Sequence, residues 1–219
     1  MSSSMFSWSS RRSVALCVLM LLASVFAVPV MAAPAVPPEL AQVQQRVARP
    51  ALLRADFVQE KQVAGFRNPL RSQGQFVLAQ QRGVIWRTLK PFASDVVLTR
   101  DRILSRQADG SVQVEVDGRQ QPALRAINAM MFALMSGDVQ AMSTSFQVRA
   151  ELLPDNAWRL HLTPRSPMLA KAFASLQLEG DRYVRKVEIE EANHDRTRLS
   201  FDNFRLAPPL DAAEEKSLD

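Results

Sequence analysis

The side chains best suited to catalysis in this sequence are two histidines, His161 and His194, and a pair of carboxylates, Glu188 and Glu190. A histidine can move a proton near neutral pH, and two carboxylates on one face could share general acid and base work. His161 falls within a predicted strand and His194 within a predicted turn, and the sequence places no metal or triad partner for either. Glu188 and Glu190 alternate with Val187 and Ile189, the pattern of a solvated outer face of a sheet. There is no Gly-x-Ser-x-Gly elbow, no His-Glu-x-x-His pair and no glycine loop to cradle phosphate. The single Cys17 rules out a disulfide framework and any zinc site built from several thiolates. We therefore expect no catalytic residue, no metal site and no cofactor.

What the chain has in quantity is apolar surface. Of 219 residues, 47% are hydrophobic and 22% charged, enough to bury one full core. Residues 1–32 have the tripartite form of a secretory signal: Arg11 and Arg12, an apolar run from Val14 to Val28, and Val30-Met31-Ala32 as a cleavage site. The run is shorter than the roughly 20 residues that a bilayer span needs. A lipoprotein signal around Cys17 is the competing reading, but Leu16 precedes the cysteine and most of the apolar run follows it. The expected product is a soluble periplasmic protein of residues 33–219, a single domain. Losing Arg11 and Arg12 lowers the formal net charge from +5 to +3, with no basic stripe, so no nucleic-acid partner is expected.

The elements follow from periodicity. Leu40, Val43 and Val47 recur at helical spacing over Glu39–Arg49, and Pro50 ends that helix. From Leu52 the period becomes two, with Leu53, Ala55, Phe57 and Gln59 on one face. Strands are then predicted at 74–79, 84–89, 93–99, 102–106 and 112–116, about ten residues apart and split by turn signals, as in an antiparallel meander. A helix is predicted over Pro122–Met135, with Gly137 as its stop. Four of the five methionines after residue 32 lie between Met130 and Met142, a flexible apolar surface suited to varied partners. The plain alternative is a core helix packed on a sheet. Strands resume at 145–152, 158–163, 175–179, 183–190 and 197–204, interrupted by a short helical turn at 167–173.

A sheet this long must curl, split or be covered. The expected fold is β-rich α+β: a strongly curved antiparallel sheet, an incomplete β-barrel, with a few helices forming a lid over an apolar cavity.

At this point particular residues resemble a family. Phe57-Val58-Gln59, Gln73-Gly74-Gln75-Phe76, Arg82 at the next turn, Trp86 with Pro91 beyond it, Leu162-Thr163-Pro164 and the close from Phe204 to Pro208 occur in the order found in the periplasmic lipoprotein carriers of the LolA family. The chain resembles that family across its length after the signal. The resemblance implies an incomplete barrel with a helical lid that carries acylated cargo from an inner-membrane donor complex to an outer-membrane acceptor. It also implies a role for Arg82 in lid closure and release. Where the family usually has Arg-Pro, this chain has Arg82-Gly83, and a relative that carries another acylated lipid or glycolipid stays open beside the lipoprotein carrier.

Strand alternation picks the candidate lipid-binding residues: Leu53, Phe57, Phe76, Leu78, Val84, Trp86, Phe146 and Leu162, with Val148, Leu160, Leu176, Leu178, Val187 and Ile189 extending the same surface. Met130, Met131, Leu134 and Met135 would line the lid. An acyl chain in water costs roughly 0.8 kcal/mol per methylene, so such cargo needs an apolar trough and a cover. Three readings result, in descending order: a monomeric carrier of lipoproteins or a related lipid, a binding module that does not transfer its ligand, and a secreted hydrolase. Arg82 and Arg165 could bind a cargo head group or a helix end, although a surface ion pair is the commoner fate of such residues.

Overall fold

Two antiparallel meanders share one sheet. The N-terminal meander comprises β1 (Leu52–Gln62), β2 (Leu70–Ala79), β3 (Gly83–Lys90), β4 (Ser94–Thr99), β5 (Arg102–Gln107) and β6 (Val112–Asp117). The C-terminal one comprises β7 (Phe146–Leu152), β8 (Trp158–Pro164), β9 (Phe173–Gly180), β10 (Val184–Glu191) and β11 (Arg196–Arg205). The computed structural model describes residues 37–99, 102–107, 111–117, 132–133 and 136–219, with side-chain surroundings for all but 113–117. The predicted signal segment lies outside these residues, as does most of the predicted helix at 122–135. Among the described residues there are four helices: α1 (Pro38–Arg46), α2 (Val139–Ser145), α3 (Pro167–Ala170) and α4 (Ala212–Leu218).

The eleven described strands run in the order β6-β5-β4-β3-β2-β1-β11-β10-β9-β8-β7, and the sheet does not close. Only β1 with β11 is a pairing between the meanders. Its register places Phe57 opposite Phe201 and shifts between Arg54 and Asp56. Asn203, across from that shift, has φ +53°, the left-handed backbone of a bulge residue. The fold is the β-rich α+β sheet expected from the sequence.

Alternation sorts the side chains. On one face Leu53, Ala55 and Phe57 of β1 pack with Phe76 and Leu78, Val84, Leu160 and Leu162, Leu176 and Leu178, Val187, Leu199 and Phe201 in one cluster. Leu40, Val43 and Val47 at α1, with Val139 and Met142 of α2, cover part of it. The opposite face of β2–β5 holds a second cluster of Val77, Ala79, Ile85, Val97 and Leu104, closed by Leu218 of α4.

The sequence analysis anticipates α1 and α3 but neither α2 nor α4. Helix α2 is rich in Ser, Thr and Val, weak helix formers; it is held by Asp138, which accepts a hydrogen bond from Ala141 N–H, and by burial of Val139 and Met142. Just before it, Gly137 acts as the predicted helix stop: its φ is +63°, and Asp138 N–H bonds back to Ala133 O at 2.8 Å. Helix α4 begins with a capping box in which Asp211 accepts from Glu214 N–H at 2.8 Å and Asp211 N–H donates to Glu214 Oε2 at 3.0 Å.

What fixes α4 to the sheet is Arg54. Its guanidinium donates to both carboxylate oxygens of Glu214, at 2.7 and 2.6 Å, and to Pro208 O and Pro209 O, each at 3.0 Å. The two side chains are only 12% and 6% exposed. The hydrogen bond from Arg54 holds the Glu214 carboxyl below the usual range, outweighing the upward push of burial, and Asp211 N–H adds to the effect. A depressed carboxyl stabilises the fold above its unfolded pKa of about 4.3, and that stability is lost as pH falls through the folded value. The urea midpoint should therefore drop on acidification below about pH 4. Glu214→Gln should be less stable at neutral pH by about 1–3 kcal/mol and show a shallower acid drop; equal slopes would mean that the pair does not control it.

Gly74 is a second constraint. It pairs with Phe57 on β1, and a Cβ there would lie 2.0 Å from Arg87 O and 2.9 Å from Phe57 Cε1. We expect Gly74→Ala to cost about 1–3 kcal/mol in a denaturant titration and to alter the near-ultraviolet signal of the aromatic cluster beside it.

Candidate functional site

Register brings the predicted apolar residues together. Leu53 stands across from Leu78, and Phe76 is paired with Trp86 and Leu78 with Val84. At the other end of the sheet Leu162 lies between Val148 and Leu176. Leu53, Phe57, Phe76, Leu78, Val84, Phe146 and Leu162 are all buried in one cluster, and Trp86 packs against it partly exposed. Met130, Met131, Leu134 and Met135 lie outside the described residues.

The centre of this surface is aromatic. The Phe57 and Trp86 rings stack with centroids 3.8 Å apart, Phe76 lies parallel to Trp86 at 6.2 Å, and Phe201 meets Phe76 edge-on at 5.4 Å. Gly74 makes room for this packing, because the bare backbone beside Phe57 leaves its ring free to lie on Trp86. Phe201 and Leu199 were missed in the sequence analysis, although Thr197, Leu199 and Phe201 alternate with Arg198 and Ser200 just as Leu53 and Phe57 alternate with their neighbours. Tyr183 and Phe204, stacked at 4.9 Å, extend the aromatic surface toward the end of β11.

One small space lies beside these groups among the described residues. A cavity of about 20 Å³ opens between the end of α1 and the strands, lined by Val47, Leu53, Phe76, Leu78, Val184 and Phe201, with Tyr183 and Phe204 at its side.

The opposite face of the C-terminal meander is polar and bears a broad cavity of about 820 Å³. His161, Glu188 and Glu190 line it, together with Glu60, Arg149, Arg196 and Arg198. Glu188 accepts from Arg198 at 3.0 Å, and Glu190 lies 3.6 Å from Arg196, so arginines neutralise both members of the acidic pair. His194 sits in the β10–β11 turn with φ +68° and does not line this cavity. Among the described residues no group of three or more His, Cys, Asp or Glu could hold a metal ion.

The two singled-out arginines both reach helix ends. Arg82, at the β2–β3 turn, donates to Asp219 at 2.9 Å and Glu215 O at 3.3 Å, at the C-terminal end of α4. Arg165 donates to Ser143 O at 3.1 Å and Phe146 O at 2.9 Å, at the end of α2. A cation there complements the negative end of the helix dipole. Arg82 is thus placed beside the second apolar cluster, not among the residues of the aromatic one.

No described helix is long and apolar enough to cross a membrane. Among solved structures, the chain is similar to a LolA superfamily protein of Nitrosomonas europaea at 10% identity, covering 80% of this chain and 95% of that one with a TM-score of 0.43. It is also similar to a DUF1329 family protein of Desulfovibrio piger, at 11% identity over 83% and 96% of the two chains with a TM-score of 0.47. A third likeness is to an outer membrane lipoprotein-sorting protein domain of Vibrio parahaemolyticus, at 10% identity over 80% and 94% with a TM-score of 0.42. No curated protein matches the chain. The profile of the family described as outer membrane lipoprotein carrier protein LolA-like matches residues 32–201, most of the sequence, and the chain belongs to that family.

Proposed function

We propose that this protein is a periplasmic carrier that shields the acyl chains of a lipoprotein, or of another acylated lipid, between the aromatic face of its sheet and its covering helices. The observation that carries this reading is the convergence of Phe57, Phe76, Trp86 and Phe201 from four adjacent strands on a single apolar surface, in a chain of the LolA-like family. In this reading cargo is taken up at the inner membrane and handed to an outer-membrane acceptor; the family's description as an outer membrane lipoprotein carrier supports the carrier role.

The mechanism needs two states of similar energy. In the empty state the rings satisfy one another; on loading, an acyl chain replaces those contacts. Removing a dozen methylenes from water returns about 10 kcal/mol, enough to offset the separation of the cover from the sheet. A carrier must also release its cargo, and mutual packing of the rings in the empty state keeps the difference between the states small. Met130, Met131, Leu134 and Met135 are proposed to line the lid over the site, where thioethers can adapt to chains of different shape. Arg82, through Asp219 and Glu215, would act on release by way of α4 rather than by touching cargo.

Native mass spectrometry of protein purified from the periplasm without detergent should reveal a stoichiometric acylated adduct, and organic extraction should identify it as lipoprotein or free lipid. Met131→Asp should lose that adduct while keeping the wild-type urea midpoint. A clean unliganded mass that persists when lipid or lipoprotein is supplied would overturn the carrier reading. Independently, brominated acyl lipid should quench the fluorescence of Trp86 strongly, and Trp86→Phe should remove most of the quenching, since Trp158 is fully buried and its indole N–H is held by Asp181 O at 2.6 Å.

A further inference from the structure

Among the described residues, six of the seven exposed large apolar side chains lie at one edge of the sheet. Strand order and direction bring the β1–β2, β3–β4, β5–β6 and β8–β9 connections to that edge. Phe66 in the first connection is 63% exposed and Phe92 in the second 81%, with Leu70 and Leu89 at the strand ends between them. Val112 and Met168 follow at the starts of β6 and α3, and only Leu206 lies elsewhere, past the end of β11. Adjacent hairpin tips on one edge are about 10 Å apart, two strand spacings. Exposure on this scale, collected on one side, marks an interaction surface.

The tips are held out by structure. Phe66 N–H bonds to Val63 O at 3.0 Å, Gln62 Nε2 donates to Phe66 O at 2.6 Å, and Gly65 turns with φ +86°. Asp195, reaching over from the β10–β11 hairpin, accepts from Ala64 N–H at 2.9 Å and lies 3.4 Å from Lys61 Nζ. A buried carboxylate is thus committed to fixing the loop that presents Phe66.

Among the described residues the unpaired charge at this edge is positive, its carboxylates being held by neighbouring cations. Among the described residues Arg67, Lys90 and Lys171 have no ion-pair partner, and Arg71 reaches only Glu60, at 3.8 Å with its side chain 65% exposed. The nearby carboxylates are taken: Asp95 by Arg87 at 3.3 Å, and Glu191 by Lys61 at 2.7 Å.

We propose that this edge docks on the surface of an anionic lipid bilayer, with Phe66 and Phe92 entering the interface and Arg67 and Lys90 meeting head-group phosphates. Separate apolar tips with unpaired cations between them suit a soft, negatively charged plane, in which each tip is buried independently. The proposal goes beyond the carrier reading and does not rest on it, because neither phenylalanine belongs to the aromatic cluster that would hold cargo.

Flotation of the purified protein with vesicles of phosphatidylglycerol and phosphatidylethanolamine, against vesicles of phosphatidylcholine, tests it. The wild type should float with the anionic vesicles and be released by salt. Phe66→Ser combined with Phe92→Ser should weaken binding about tenfold or more, while Leu206→Ser leaves it unchanged. Arg67→Gln with Lys90→Gln should erase the preference for anionic lipid. The four edge positions are exposed, so their variants should keep the wild-type urea midpoint and the acylated adduct. Absence of flotation on anionic vesicles overturns the proposal. So does binding that survives the double phenylalanine change but is lost in Met131→Asp, which would assign it to the interior. If the wild type ignores vesicles yet the phenylalanine changes block delivery to native membranes, the edge binds protein and the proposal also fails.

Discussion

Everything in this molecule depends on one ladder, the antiparallel pairing of β1 with β11. Each other pairing joins neighbours in its own meander, and such hairpins close short loops at little entropic cost. The β1–β11 pairing instead joins strands from opposite ends of the folded chain. Without it the aromatic cluster has no Phe201, and the apolar face of β1–β3 would not continue into β7–β11. The polar side of the junction is tied as carefully. Asp56 accepts from Asn203 at 2.8 Å and from Gln75 and Arg205 at 3.1 Å each, spanning β11, β1 and β2. Burial pushes this carboxyl up, and the three hydrogen bonds together hold it below its ordinary range.

The same ladder separates the chemistry of the two faces. Along β1, Leu53, Ala55 and Phe57 lie in the core, while Arg54 and Asp56 between them bind α4 and the β11 bulge. The broad cavity on the polar face contains ionisable groups in number, but its acids and arginines are spent largely on one another. The opposite face presents the apolar cluster. Membership of the LolA-like family agrees with that division, because a carrier of acyl chains acts through the apolar surface it can uncover.

The strands were legible because a half-buried sheet imposes a period of two, which the sequence keeps along stretches such as Leu53–Phe57 and Leu160–Leu162. Helix α4 was not, although its capping box stands in the sequence as Asp211 and Glu214. Seven residues with few apolar positions carry no periodic signal, and what stabilises them is Arg54, far away on β1. Helix α2 is hidden for a similar reason: its composition disfavours a helix, and burial of Val139 and Met142 decides otherwise. Within the large apolar cluster, Leu53, Phe57, Phe76, Leu78, Val84, Phe146 and Leu162 were placed by alternation, whereas Phe201 needed the cross-sheet pairing to reveal its neighbours.

The sequence alone determined the face on which each strand residue lies, because successive Cβ atoms alternate whatever the strand is paired with. It also determined the antiparallel order within each meander, since short turns permit nothing else. Only the tertiary structure decided that β1 and β11 join the meanders, that Arg82 and Arg165 end at helix termini, and that one edge gathers Phe66 and Phe92. Each of these depends on which distant segment becomes a neighbour, and that choice is made by the free energy of the whole packed sheet, not by any local pattern.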